Sequence, residues 1–264
     1  MDLKLHGKSA LVSGSTAGIG FAIARGLAQE GASVILTGRS VERVEGAIDK
    51  IQQSYPEAKV SGVVADLAKK QGAEQLFQQV PSIDILINNL GVFEPKAFSD
   101  ITDEDWLDIF EANVLSGVRL SRQYLPKMLE QDWGRIIFIS SESGIQIPAD
   151  MIHYGMTKTA QLAVARGLAE LTVGTQVTVN SVLAGPTRSE SVEGFVAKMA
   201  KERGISPSEA EADFLKNIRP TSLIKRFATT DEVAAMVVYL SSPIASATNA
   251  AALRADGGVV RSVV

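Results

Sequence analysis

An α/β fold is the prediction for this 264-residue chain: one doubly wound, seven-stranded parallel sheet with helices on both faces, in a single domain. Three observations carry it. Short runs rich in Val and Ile recur along the chain, longer stretches with apolar residues at three- and four-residue spacing separate them, and the short runs are apolar throughout. Strands that alternate with helices pair in parallel through right-handed crossovers. A sheet covered on both faces has no polar side, so its strands need not alternate.

The first run, "SALVSG" (9–14), leads into the helical pattern "IGFAIARGLAQEG". "SVILTG" (33–38) opens "VERVEGAIDKIQQSY", with Ser40 placed to cap that helix. "KVSGVVAD" (59–66), "IDILINN" (83–89), "GRIIFISS" (134–141) and "QVTVNSVL" (176–183) supply the third to sixth strands, and "AALRADGG" (251–258) is a weaker seventh. The long polar interval at about 187–230 includes "VEGFVAKMAKERGISPSEAEADFLKNI", one or two amphipathic helices inserted after the sixth strand. Insertions of that length in a compact domain are commonly functional. Two readings stand: a substrate lid, with Phe195, Met199 and Phe214 as covering residues, or an extra pair of packing helices.

Composition narrows the classes. At 45% hydrophobic and 21% charged residues, the chain can build a large core without a disulfide or metal staple. It has no cysteine, which removes thiol catalysis and zinc–cysteine sites and fits a reducing compartment. A net charge of −4 gives no global attraction to nucleic acid or to an anionic membrane. No window approaches the roughly 20 apolar residues of a membrane span, and "MDLKLHGKSALVSG" lacks a leader's apolar core. The expectation is a cytoplasmic protein that uses no metal.

"SGSTAGIG" (13–20) joins the first strand to the first helix. Gly14, Gly18 and Gly20 would let the backbone approach a pyrophosphate, with the helix N-terminus supplying free N–H groups. Tight turns also use glycine for steric reasons alone, and the strand-to-helix position favours the ligand reading. "HYGMTK" (153–158) places Lys158 four residues after Tyr154, on one helix face. A free phenol, with a pKa of about 10, is a poor acid or base at neutral pH. An ammonium beside it favours the phenolate and lowers that value. Ser141 ends the fifth strand, at the edge where ligands bind in open α/β sheets. A lone Tyr-x-x-x-Lys is more simply an ordinary helix-face pair; the serine thirteen residues earlier shifts the balance.

The glycine-rich turn, "NNLG" (88–91) and the Ser, Tyr-x-x-x-Lys set together resemble the short-chain dehydrogenase/reductase family, from Gly7 to "ADGG" (255–258). The resemblance implies a one-domain Rossmann fold, a nicotinamide cofactor and reversible hydride transfer between an alcohol and a carbonyl. It implies that Tyr154 exchanges a proton with the substrate oxygen, Ser141 holds that oxygen, and Lys158 tunes the tyrosine and bonds the nicotinamide ribose. Asn113 in "FEANVLSG" would anchor a water in a proton relay from the lysine. Gly14, Ser15, Thr16, Gly18, Ile19 and Gly20 would hold the pyrophosphate, Asp66 and Leu67 the adenine, and Asn88 and Gly91 would line the cofactor channel. Gly185, Thr187 and Ser189 in "NSVLAGPTRS" would bind the carboxamide, with Ala184 standing where the family usually has proline and Pro186 restoring some stiffness.

Cofactor choice rests on the second strand's end. Gly38 stands where an NAD-binding relative carries an acid, and Arg39 follows, suited to gripping a 2′-phosphate. NADP is therefore expected ahead of NAD, with a solvated surface arginine as the alternative. His153 reads as a polar surface residue, and Arg188 as either an anion contact or a salt-bridged loop residue. Small-ketone and 3-oxoacyl-thioester reductases are the nearest activities, with a homotetramer or homodimer as the assembly, through helices near 103–131 and 150–172. A non-catalytic NADP(H) sensor is the competing function, although such proteins usually lose the serine, tyrosine or lysine. Epimerases and dehydratases on this fold carry a further C-terminal domain.

Overall fold

The computed structural model describes residues 2–263. Its main sheet is built from β1 (Ser9–Val12), β2 (Ser33–Gly38), β3 (Val60–Val64), β4 (Ile85–Asn88), β5 (Gly134–Ser141), β6 (Val177–Ala184) and, after two short strands given below, β9 (Ala252–Ala255). All neighbours pair in parallel, in the order β3-β2-β1-β4-β5-β6-β9. This is the doubly wound order, which reverses between β1 and β4 and opens a crevice at the strands' carboxyl ends.

The strand residues sort by parity. Ala10, Val12, Ile85, Ile87, Ile137 and Ile139 enter one apolar cluster with Ile23 and Leu27 of α1 (Gly18–Gln29) and Val233 and Val237 of α9 (Thr230–Ser241). Leu11, Leu86, Ile136 and Phe138 enter the other, with Leu76 of α3 (Lys70–Gln79), Leu120 and Tyr124 of α5 (Ser116–Glu130), and Ala165 of α6 (Ile152–Glu170). Successive strand side chains point to opposite faces, so an unbroken apolar run feeds both cores. β5 and β6 are buried at every residue. α2 (Val41–Ser54) covers the β2–β3 edge, and Ser40 caps it by accepting from the Arg43 N–H.

Strand ends differ from the sequence reading by a few residues, and one helical stretch differs in kind. The first strand ends at Val12 rather than Gly14, because Ser13 and Gly14 already form the turn, with φ +62° at Gly14. The seventh stops at Ala255, where the Asp256 carboxylate accepts from the Gly258 and Val260 N–H groups. The stretch "EANVL", which reads as plain helix, forms a π-turn (Glu111–Leu115) between α4 (Asp103–Phe110) and α5.

The insertion stands on a two-stranded parallel stem, β7 (Thr187–Arg188) with β8 (Ala228–Thr229). It contains α7 (Glu190–Arg203), α8 (Pro207–Asp213) and a second π-turn (Phe214–Ile218). Val196, Met199, Ala200, Ala210, Leu215 and Phe227 form its own small core. Met199 is thus a packing residue. Ser206 and Glu209 cap α8 reciprocally, behind Pro207 at its first position.

Candidate active site

One cleft of about 570 Å³ runs along the carboxyl ends of the strands, within the range of small-ligand sites. At one end lies the glycine turn. Gly14 and Gly18 hold φ of +62° and +59°, which side-chain-bearing residues rarely adopt. A Cβ on Gly20 would lie 2.4 Å from Asn89 Nδ2, because that amide donates to the carbonyls of Ser13 and Gly14 at 2.9 Å each and braces the turn. The α1 N-terminus carries no side-chain cap, so its first N–H groups stay open toward the cleft. Thr16, Gly18, Ile19 and Gly20 line this end. Ser15 lies beneath it, fully buried, donating to the Val12 carbonyl and accepting from the Thr37 N–H.

The next wall comes from the ends of β2, β3 and β4. A Cβ on Gly38 would meet Thr16 Cγ2 at 2.6 Å, so an acid has no room there without displacing Thr16. Exposed Arg39 lines the cleft with Ser40 and Arg43, and Arg43 bonds Glu190 of α7 at 2.8 Å across the opening. Asp66 both lines the cleft and accepts from the Ala68 N–H at 3.1 Å, and Leu67 follows it. Gly91 lines it as well. Asn88 does not; it is buried and donates to Ser121 Oγ at 3.2 Å. In that tandem pair the second asparagine, Asn89, is the one that reaches the cleft. Strand parity does not assign the two, since Leu86 and Ile87 are equally buried on opposite faces of the sheet; Asn89 follows the last residue of β4, where the chain turns to the cleft.

At the far end Ser141, Tyr154 and Lys158 converge. Ser141, at the tip of β5, accepts from the Ser143 N–H at 3.1 Å. α6 is stapled to β5 by Ser140 Oγ, which donates to the Lys158 carbonyl at 2.9 Å. Lys158 Nζ stands 5.6 Å from the Tyr154 ring centre and donates to the Ile139 carbonyl (2.9 Å) and Gln161 Oε1 (3.2 Å). Burial pushes this amine down to about 8. It pushes the Tyr154 phenol up to about 12, against the pull of the Ser141 hydroxyl. The ammonium therefore does not lower the phenol as the helix spacing suggests: it is directed at the strand carbonyl, and loss of hydration dominates at the phenol.

Asn113 sits in the π-turn, buried behind this end. Its Oδ1 accepts from the Val92 N–H at 2.7 Å, and its Nδ2 donates to the Val92 carbonyl and Thr157 Oγ1. Gly185, Thr187 and Ser189 line the opposite lip; the Thr187 hydroxyl donates to the Gly185 carbonyl, and Ser189 caps α7. The β6–β7 turn is braced despite its missing proline: Gly185 N donates to Ala255 O and Ala228 N to Pro186 O.

Phe93, Met151, Val192 and Phe214 also line the cleft, with Glu142 and Arg219. Rings step outward from Tyr154 to Phe93 (6.1 Å), Phe195 (6.4 Å) and Phe214 (6.2 Å), tying the insertion to the tyrosine. Arg219 Nε donates to Glu142 Oε1 at 2.7 Å, and both side chains are buried. Arg188 is a salt-bridged residue, bidentate on Glu211 of α8. His153 is not a surface residue; it is 2% exposed, edge-on to Trp106 at 5.9 Å. About 100° around the helix from Tyr154, it faces α4. Among the described residues no group of three or more His, Cys, Asp or Glu could hold a metal ion, and no helix is long and apolar enough to cross a membrane.

The family model for short chain dehydrogenase matches residues 8–200. The uncharacterized oxidoreductase YvaG of Bacillus subtilis is 51% identical over 263 residues, covering 100% of both chains. The 3-oxoacyl-(acyl-carrier-protein) reductase FabG of Aquifex aeolicus is 31% identical, covering 98% of this chain and 100% of its own. The solved structure of L-sorbose reductase from Gluconobacter frateurii, complexed with NADPH and L-sorbose, matches with a TM-score of 0.94 at 29% identity, over 100% of both chains.

Proposed function

Because the chain belongs to the short-chain dehydrogenase family of oxidoreductases, we propose that it transfers hydride between NADP(H) and a carbonyl or secondary alcohol. The observation that carries this reading is the convergence of Ser141, Tyr154 and Lys158 on the same cleft as an uncapped helix N-terminus and a glycine turn too tight for side chains. These residues fit a dinucleotide: pyrophosphate against Gly14, Thr16, Gly18, Ile19 and Gly20, adenine beside Asp66 and Leu67, and carboxamide beside Gly185, Thr187 and Ser189. The L-sorbose reductase structure holds NADPH, which supports the phosphorylated cofactor.

Bound NADPH supplies the hydride to the carbonyl carbon. The side chains do the rest. Tyr154, held up at about 12 and therefore protonated at neutral pH, donates its proton to the substrate oxygen. Ser141 steadies that oxygen and, through its pull on the phenol, the phenolate left behind; Lys158 is left to bond the nicotinamide ribose. Asn113 holds the Val92 backbone and Thr157, fixing the floor under Gly91 and α6. The insertion acts as the lid, with Val192 and Phe214 over the substrate and Arg43–Glu190 as an exposed clasp. The apolar groove lined by Val118, Leu125, Pro126, Val164, Leu168 and Leu171 supports homo-oligomerisation through α5 and α6. A cytoplasmic location fits the cysteine-free composition.

Screening the protein with NADPH against ketoses, simple ketones and 3-oxoacyl thioesters, followed by NADPH absorbance, tests the reading. Consumption with at least one class is expected; tight NADPH binding without consumption by any contradicts it. Arg39→Asp checks the cofactor. Losing a charge-assisted contact to the 2′-phosphate raises the NADPH KM roughly ten- to a hundredfold and spares NADH. An unchanged preference would remove Arg39 from the site.

A further inference from the structure

Behind the reacting end, one side chain joins two parts of the site that are distant in sequence. Gln161 lies one helical turn after Lys158 on α6 and is 1% exposed. Its Oε1 accepts from Lys158 Nζ at 3.2 Å, and its Nε2 donates to the Asn113 carbonyl of the π-turn at 2.6 Å. The amide orientation follows from its partners, since an ammonium only donates and a carbonyl only accepts. π-turns widen a helix and recur at functional sites. Here the turn presents a main-chain carbonyl to a glutamine on another helix. A fully buried, doubly satisfied amide is a costly group to keep unless its partners need it.

We propose that Gln161 is a positioning residue of this reaction: its amide locks the Lys158 ammonium to the Asn113 carbonyl and so holds the lysine in place beside Tyr154. The inference rests on the oxidoreductase reading for its role in turnover, but the lock itself is a property of the protein alone. Gly91 belongs to the same arrangement, for a Cβ there would press on Lys158 Nζ at 3.3 Å.

The charged groups around Lys158 are few. On its own helix, Tyr154 faces it and His153 turns to α4. From the segment after β5 comes Glu142, paired to Arg219 of the insertion. From α4 and the π-turn come Asp105 and Glu111, which pair outward with Lys96, and with Lys69 and Arg119. Arg135 is at the opposite end of β5, bonded to the Gln176 and Ser242 carbonyls, and β6 carries no charge. Gln161 is thus the side chain, hydrogen-bonded to the ammonium, by which the lysine can be tuned.

The test is the titration of Lys158 in the cofactor-free protein, read by NMR of 13Cε-labelled lysine and assigned by its loss in Lys158→Met. Gln161→Leu removes an acceptor from the ammonium and moves the midpoint down by about one to two pH units. Gln161→Glu places a carboxylate there and moves it up. The pH limb of kcat governed by Lys158 shifts in the same opposite senses. Unmoved midpoints, or both variants shifting the same way, would overturn the lock. Should the leucine variant fail to fold, the upward shift of the glutamate variant decides alone. Absence of turnover in the wild-type protein would defeat the oxidoreductase reading and leave this titration intact.

Discussion

Tyr154→Phe lowers kcat by about 10²–10⁴-fold, the contribution of a positioned general acid, and leaves NADPH binding unchanged. The phenylalanine keeps the ring packing on Phe93 at 6.1 Å and the Lys158 contact at 5.6 Å, so the change isolates the hydroxyl. Because the phenol is pushed up to about 12 by burial, it enters the reduction protonated, and the substrate oxygen takes that proton as negative charge develops on it. Loss of kcat with an intact NADPH KM marks an interaction made in the transition state. A variant that reduces the carbonyl at the wild-type rate would remove Tyr154 from the chemistry. Rescue by an added small phenol would strengthen the assignment further.

Arg219→Met destabilises the protein by about 3–5 kcal/mol, as expected when one partner of a buried ion pair is removed. Glu142 is buried, keeps Arg219 on one oxygen, and has no partner for Oε2 in the described structure. Burial already holds its carboxyl above the ordinary value, with Arg219 pulling it down. A carboxyl raised in the folded state favours folding at acid pH, where it is protonated, and loses that contribution as pH rises through its folded value. Removing Arg219 raises it further, so the deficit against wild type widens from about pH 5 to about pH 8. Thermal unfolding at the two pH values measures this, and Glu142→Gln in the Arg219→Met background recovers most of the loss. An equal deficit at both pH values, with no recovery, would mean that the arginine acts by packing alone.

The fold was legible because it is written in local patterns. Apolar runs, a glycine turn at a strand–helix junction and a serine at a strand end each carry their meaning within a few residues. The β4 end was harder, since "NN" gives no hint of which asparagine meets the cleft, and parity does not decide it because both faces of the sheet are buried. Gln161 carried no signal at all. Its role depends on a π-turn 48 residues earlier, and "EANVL" has the pattern of ordinary helix. Glu142 and Arg219 lie 77 residues apart and meet only because the insertion folds back over β5. The direction of the Tyr154 shift also eluded the sequence: spacing shows that an ammonium shares the helix face, whereas the loss of water around the phenol is set by the whole cleft. His153 was misread for a related reason, because a helix near a site is packed on several sides and a polar residue beside the tyrosine need not face solvent.

The central claim is that this cleft moves a hydride while Tyr154 supplies the proton. NADPH dideuterated at nicotinamide C4, incubated with whichever carbonyl the screen selects, tests it by mass spectrometry and NMR of the alcohol formed. The account predicts one deuterium on the carbinol carbon with the wild-type protein, and the same deuterated alcohol formed about 10²–10⁴-fold more slowly with Tyr154→Phe. Deuterium retained entirely on the nicotinamide, in a protein that binds NADPH tightly, would contradict it and leave a cofactor-binding protein without this chemistry.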